Sequence, residues 1–167
     1  MRTNENRHPS LRDLKALVIC FVLCACGAVI QAQGTPILVY HRFDPAIPGP
    51  TTVRTAVFES QLVWLENHHY RVIPLHELAR DLLDHKVAPE QVVVLTADDG
   101  NESVYTQMFP VIQKHRVPVT LFIYPSAISN ASYALTWEQL RKMQASGLVQ
   151  IQSHTYSTVR VPRTVTE

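Results

Sequence analysis

The sequence predicts an α/β fold in which parallel strands alternate with helices. Short apolar runs, typical of buried strands, recur between segments whose apolar residues are spaced by three or four positions, as in amphipathic helices. The chain has 167 residues, of which 46% are hydrophobic, enough for one domain. Lys and Arg number 15 against 14 Asp and Glu, so no basic excess indicates a nucleic-acid partner.

The first 32 residues predict an export signal. A basic stretch precedes an uncharged run, residues 16–30, which ends at the small residue Ala32. This order is typical of a secretory signal peptide, with cleavage after Ala32. Because the run is shorter than the roughly 20 residues of a membrane span, an uncleaved membrane anchor is the alternative. We expect a secreted, periplasmic or cell-envelope protein that meets the membrane only through this segment.

All three cysteines, Cys20, Cys24 and Cys26, lie within this segment. A chain processed after Ala32 would therefore contain no disulfide. The sequence around Cys26 also resembles a bacterial lipoprotein cleavage site, in which Cys26 would carry the lipid.

The chain between the signal and the central strand predicts two strands, two helices and a loop. Apolar runs indicate the strands, helical spacing of leucines indicates the helices, and three prolines in six residues exclude regular pairing in the loop. The elements are a buried strand at residues 36–41 that ends in His41, the loop at 45–50, a helix at 55–69, a strand at 71–75 and a helix at 76–84.

The strand that begins at Val92 organises the rest of the chain. Its apolar run predicts burial on both faces, and it ends in Asp98, Asp99 and Gly100. Active sites gather at the carboxyl ends of parallel strands, and adjacent carboxylates repel unless a metal ion or a proton-transfer role compensates. A simple Asp-Gly turn is the alternative. Because adjacent strand residues point to opposite faces, both acids share one site only if the strand breaks, which Gly100 permits.

The remaining elements repeat the alternation of helix and strand. Thr136 and Gln139 show the capping-box spacing of a helix start, and Pro110 predicts a kink in the preceding helix. The elements are a helix at residues 102–115, a strand at 117–124, a polar loop at 126–134, a helix at 136–147 and a strand at 148–152 followed by His154.

Chemically reactive side chains therefore follow three predicted strands: His41, the Asp98-Asp99 pair and His154. The carboxyl ends of parallel strands meet at one edge of a sheet, so we expect these groups to lie together. Carboxylate and imidazole groups are ligands of zinc-type ions.

Two motifs resemble those of the polysaccharide deacetylases, the NodB-homology family related to carbohydrate esterase family 4. The sequence TADDG, which ends in Gly100, resembles the family's Thr-Phe-Asp-Asp-Gly motif, and SHTYS, which contains His154, resembles the start of its second motif, His-Ser/Thr-x-x-His. The resemblance extends over residues 36–157. It implies a distorted (β/α) barrel, of which residues 33–157 form the N-terminal part.

The resemblance also implies a hydrolase that removes N-acetyl groups from an N-acetylated polysaccharide with the help of Zn²⁺ or another divalent transition metal. Asp98 would be the general base, and Asp99 and His154 would be metal ligands. We assign His41 to substrate binding.

The sequence departs from the family pattern in three places. Ala97 replaces an aromatic residue, Thr158 stands where the second motif has its ligating histidine, and the family's later motifs are absent. A threonine hydroxyl is a poor zinc ligand, so the metal site is predicted to be incomplete. We expect a truncated chain of low or no activity. The alternatives are a non-catalytic glycan-binding remnant of the envelope and a chain that does not fold stably.

The tail, residues 158–167, resembles nothing expected after the second motif. A histidine codon CAC read one base late encodes threonine, which is the substitution seen at Thr158. We therefore predict that the tail is read out of frame, which the downstream nucleotide sequence tests directly.

Overall fold

The computed structural model describes residues 34–86 and 90–156, all within the second of the two units of the chain, Gln33–Glu167. The elements are β1 (Ile37–Tyr40), β2 (Arg42–Asp44), β3 (Thr52–Arg54), α1 (Thr55–Asn67), β4 (Arg71–Val72), α2 (Leu75–Leu83), β5 (Val92–Asp99), a π-helical segment (Val104–Met108), α3 (Phe109–His115), β6 (Val119–Ile123), α4 (Trp137–Ala145) and β7 (Val149–Ser153).

The predicted signal segment, Thr158 and the rest of the tail lie outside the described residues. Within the described ranges, no helix is long and apolar enough to cross a membrane.

A parallel sheet carries the described part of the chain. Its strands lie in the order β1, β5, β6 and β7, and β4 pairs with the first two residues of β5. Tyr40 is in register with Ala97, Asp98 with Phe122, and Phe122 with Gln152. Because the pairs are all parallel, the carboxyl ends of β1, β5, β6 and β7 meet at the same edge of the sheet. The predicted fold class, parallel strands alternating with helices, is confirmed.

Strand β5 is buried on both faces, as its apolar run predicts. Residues 92–97 are all buried. One face of the strand belongs to the main hydrophobic core, which α1 and α3 also contribute to, while Val92 and Val94 pack with Ile73 and Leu78 in a smaller cluster. The central strand is therefore held firmly up to the point where its two carboxylates begin.

The strand predicted at residues 36–41 is present, but the prediction that it is buried is wrong. Ile37 is 46% exposed and Val39 is 53% exposed. Their neighbours Leu38 and Tyr40 pack against the core from the other face of the strand. The apolar run cannot reveal that, within the described residues, one face of β1 is left partly uncovered.

Two short strands, β2 and β3, were not predicted. They pair in parallel, with Arg42 opposite Thr52 and Asp44 opposite Arg54, on either side of the predicted proline loop. Strands of three residues are too short for hydrophobic alternation to reveal them.

The helix predicted at residues 102–115 consists of two parts. A π-helical segment ends at Met108, and α3 begins at Phe109. Pro110 lies in the first turn of α3, where the helix does not need the N–H that proline lacks. The predicted capping box of α4 is confirmed: the amide of Gln139 donates to the Thr136 hydroxyl over 3.1 Å, and the amide of Thr136 donates to the Gln139 side chain over 2.8 Å.

We expect Gly100→Ala to lower the free energy of unfolding by about 2 kcal/mol. Gly100 has φ +70°, and an added Cβ would lie 3.1 Å from Ile123 and 3.2 Å from Ile128. The measurement is urea unfolding followed by circular dichroism. Gly147→Ala is the matched control, because Gly147 has φ +74° with no atom within 4 Å of the added Cβ. Equal losses in the two variants would show that crowding at Gly100 contributes nothing.

Candidate active site

Five side chains stand at the carboxyl edge of the sheet, two at the end of β5 and one after each of β1, β6 and β7. Asp98 and Asp99 end β5, His41 follows β1, Tyr124 follows β6, and His154 follows β7. The amide of His154 donates to the carbonyl of Ile123 over 2.9 Å, which continues the β6–β7 pairing and fixes the backbone of His154.

The structure brings the predicted groups together. Asp98 Oδ2 lies 3.8 Å from His154 Nε2, and both side chains are partly shielded from solvent. The charge of His41, which follows β1 at the same edge of the sheet, also acts on Asp98 and lowers its pKa. The expectation that these groups share one edge of the sheet is met.

The backbone leaves the extended conformation at Asp99, the last residue of β5, one residue before Gly100. Asp99 has φ +70°, the left-handed conformation that a non-glycine residue rarely adopts, and Gly100 has φ +70° as well. The carbonyl of Gly100 accepts a hydrogen bond from the amide of Leu135 over 2.9 Å, which anchors the turn. Because the backbone at Asp99 is left-handed, its carboxylate does not follow the alternation of side chains between the two faces of the strand. Strain of this kind is concentrated at functional sites.

Burial raises the pKa of Asp98. The neighbouring imidazoles of His154 and His41 act in the opposite direction, and the charge of Asp99 acts with burial. A carboxylate that holds a proton more readily than usual is better suited to accept one from water.

Tyr124 is a site residue that the sequence reasoning missed. Its ring lies 4.7 Å from the ring of His154, centroid to centroid, and its hydroxyl interacts electrostatically with the Asp99 carboxylate. Burial and then the Asp99 carboxylate raise the pKa of this tyrosine. Its position at the end of a predicted strand was the signal that could have found it, by the same reasoning that singled out His41 and His154.

The donor chemistry of the site fits a divalent metal ion, but the number of donors is small. Asp99 and His154 supply one carboxylate and one imidazole. Among the described residues, no group of three or more potential ligands lies close enough together to hold an ion. The third position, Thr158, falls outside those residues.

The sequence also matches known proteins. The sequence profile of the family described as polysaccharide deacetylase matches residues 85–167. The poly-beta-1,6-N-acetyl-D-glucosamine N-deacetylase of Escherichia coli K12 is 30% identical over 121 residues, which cover 64% of this chain and 18% of the relative. The chain belongs to the polysaccharide deacetylase family.

Solved deacetylase structures share the fold. IcaB from Ammonifex degensii is 29% identical, with a TM-score of 0.65 over 75% of this chain and 55% of IcaB. The Streptococcus pyogenes deacetylase PplD, solved in complex with acetate, is 25% identical, with a TM-score of 0.64 over 72% of this chain and 56% of PplD. The chain thus spans about half the length of these deacetylase structures, and the resemblance of its two motifs to the family is confirmed.

In this polysaccharide deacetylase chain, we expect Tyr124→Phe to lower zinc affinity about tenfold. The phenylalanine keeps the ring beside His154 but loses the hydroxyl that interacts with Asp99, and losing a group that supports a metal ligand typically costs 10- to 100-fold in metal affinity. Competition with a chromophoric chelator measures it. Tyr156→Phe, which removes a hydroxyl from a tyrosine that is 75% exposed, is the control. An unchanged affinity in Tyr124→Phe would exclude this role.

Proposed function

We propose that this chain hydrolyses N-acetyl groups on an amino-sugar polymer, producing acetate and a free amine. The observation that carries the proposal is the contact of 3.8 Å between Asp98 and His154 at the strand edge that also carries Asp99. The names of the relatives support an N-acetylated polysaccharide as substrate, since the Escherichia coli relative is named for poly-beta-1,6-N-acetyl-D-glucosamine.

Amide hydrolysis needs a base for the attacking water and a proton donor for the leaving nitrogen. In the proposed reaction, the Asp98 carboxylate takes a proton from water as the water oxygen attacks the acetyl carbon. The C–N bond then breaks, and the nitrogen leaves with a proton as a free amine. His41 follows β1 at the same edge of the sheet as Asp98, and in this proposal its imidazole would hydrogen-bond the substrate and deliver that proton.

Asp99 and His154 would hold the divalent ion, for which Zn²⁺ is the proposed species. When bound, such an ion polarises an amide carbonyl and makes water more acidic. Tyr124 would support both proposed ligands, through the electrostatic interaction of its hydroxyl with Asp99 and through the contact of its ring with His154.

We also propose that turnover is slow. The described residues supply two metal donors, whereas zinc enzymes generally use three protein ligands. Thr158 occupies the position of the third. The same observation favours the second candidate function, in which the chain binds glycan without hydrolysing it.

The substrate class and the proposed signal segment agree with each other. Cell-envelope and biofilm polysaccharides lie outside the cytoplasm, and residues 1–32 have the pattern of an export signal. We therefore propose that the chain acts in the envelope or outside the cell.

Acetate release from a β-1,6-linked N-acetylglucosamine pentamer tests the proposed function. With zinc present we expect slow release that stops when a chelator is added. Release that continues unchanged in the chelator would contradict the metal role. Pentamer binding without any acetate would establish the glycan-binding alternative, and neither binding nor acetate would exclude both functions.

A further inference from the structure

A second concave region, which we call the Arg42 pocket, has a volume of about 400 Å³ and lies next to the candidate active site. Its lining includes Arg42, Asp44, Glu102 and Tyr133. Arg42 directly follows His41 in the chain, and the pocket residue Asn101 directly follows the turn that ends β5. The residues that directly follow the active-site segments in the chain therefore line this pocket.

An intermediate cavity of about 350 Å³ shares lining residues with the Arg42 pocket and with the cavity that contains Asp98. The intermediate cavity contains His41 and shares Arg42 and Thr52 with the Arg42 pocket. It also shares Val39 with the cavity of about 410 Å³ that contains Asp98 and His154. The three cavities therefore succeed one another along the chain from β1 to β2, an arrangement that would suit a linear polymer.

The wall of the Arg42 pocket is held in place by side-chain hydrogen bonds. The Ser103 hydroxyl accepts from the amide of Phe43 over 2.9 Å and donates to Asn101 Oδ1 over 2.7 Å. This pair of bonds ties β2 to the segment after β5. The pocket is therefore preformed, which lowers the entropy cost of binding.

The charged groups of the pocket remain available to a ligand. Among the described residues, the side chains of Arg42 and Glu102 take part in no ion pair shorter than 4.0 Å. One oxygen of Asp44 accepts hydrogen bonds from the backbone amides of Ala46 and Ile47, over 2.8 and 2.7 Å. The pocket thus offers one cation and two carboxylates, a balance that disfavours anions such as phosphate.

We propose that the Arg42 pocket is a subsite for the sugar residue that neighbours the one being deacetylated on the same polymer. Sugar hydroxyl and acetamide groups both donate and accept hydrogen bonds. Arg42 would donate to their oxygens, and Glu102 would accept from their O–H and N–H groups. The ring of Tyr133, which is 50% exposed, provides an apolar surface for the sugar ring. This inference rests on the proposed function for the identity of the polymer.

Calorimetric titration of the full chain with the β-1,6-linked N-acetylglucosamine pentamer tests the subsite. We expect Arg42→Gln and Glu102→Gln each to weaken pentamer binding about tenfold, the usual effect of losing one charge-assisted hydrogen bond. Glu66→Gln and Arg80→Gln make the same changes at exposed positions outside the pocket and should leave the affinity unchanged. Inorganic phosphate, the probe for an anion site, should not bind.

Amide NMR shifts of the wild-type chain locate the ligand without any substitution. We expect the pentamer to shift the amide signals of Asn101, Glu102, Ser103 and Thr106 more than those of α2, which contributes no residue to the pocket. The subsite is overturned if these signals do not move, if the pentamer does not bind, or if the pocket and control variants weaken binding equally.

Parallel acetate measurements separate the subsite from the proposed function. Binding that depends on Arg42 and Glu102 without acetate release would support the subsite and contradict hydrolysis. Normal acetate release and normal pentamer affinity in both pocket variants would support hydrolysis and overturn the subsite.

Discussion

Replacing Thr158 with histidine is expected to raise the zinc affinity of the chain at least tenfold. The proposed donors among the described residues, Asp99 and His154, would leave the ion one protein ligand short of the usual three, and imidazole is a far better zinc ligand than a hydroxyl. The new imidazole stands four residues after His154, the spacing of the family's second motif. Competition with a chromophoric chelator at fixed pH gives the affinity.

The control for this prediction is Thr164→His, which adds the same imidazole to the tail at a position with no motif spacing. We expect it to leave the affinity at the wild-type value. An equal gain in both variants would indicate non-specific binding by an added histidine. No gain in Thr158→His would contradict the assignment of position 158 to the metal site.

Replacing Asp98 with asparagine is expected to lower acetate release from the pentamer at least a hundredfold, towards the uncatalysed rate. Asparagine keeps the shape of the side chain but cannot accept a proton from water, and general bases typically contribute 10²- to 10⁴-fold. The partly shielded position of Asp98 raises the pKa of its carboxyl, which favours the proposed role of base. Acetate is measured by a coupled enzymatic assay with zinc in excess.

Asp84→Asn serves as the control for Asp98→Asn, because Asp84 makes only an exposed ion pair with Lys86 and lies outside the candidate active site. We expect it to keep the wild-type rate. Zinc bound by Asp98→Asn should also stay near the wild-type amount, since Asp98 is not assigned as a ligand. A variant that lost zinc and activity together would instead place Asp98 in the metal site.

The sequence was most informative where a pattern of residues is compatible with a single local structure. The apolar run that begins at Val92 predicted a strand buried on both faces, and the two carboxylates at its end predicted a site at the sheet edge. The capping box at Thr136 depends on two side chains three residues apart and was equally readable. Parallel pairing then brought His154 to the same edge as Asp98, as the strand order required.

Other features depend on contacts that no local pattern records. The exposure of Ile37 and Val39 is set by what covers the far face of β1, not by their own hydrophobicity. The pairing of β2 with β3 involves three residues on each side of a loop. The left-handed backbone at Asp99 arises from the turn that follows it, and an aspartate gives little sign of adopting it. Tyr124 was overlooked because a strand-ending tyrosine is usually part of the core.

The central claim is that Asp99 and His154 bind one divalent ion at the carboxyl edge of the sheet, within reach of Asp98. The most direct test is a crystal structure of the chain with zinc, with anomalous diffraction data collected at the zinc absorption edge. The account predicts a single strong anomalous peak between the Asp99 carboxylate and the His154 imidazole, at about 2.0–2.2 Å from each ligand atom. A peak elsewhere with none at this position, or no peak at all in zinc-saturated crystals, would contradict it.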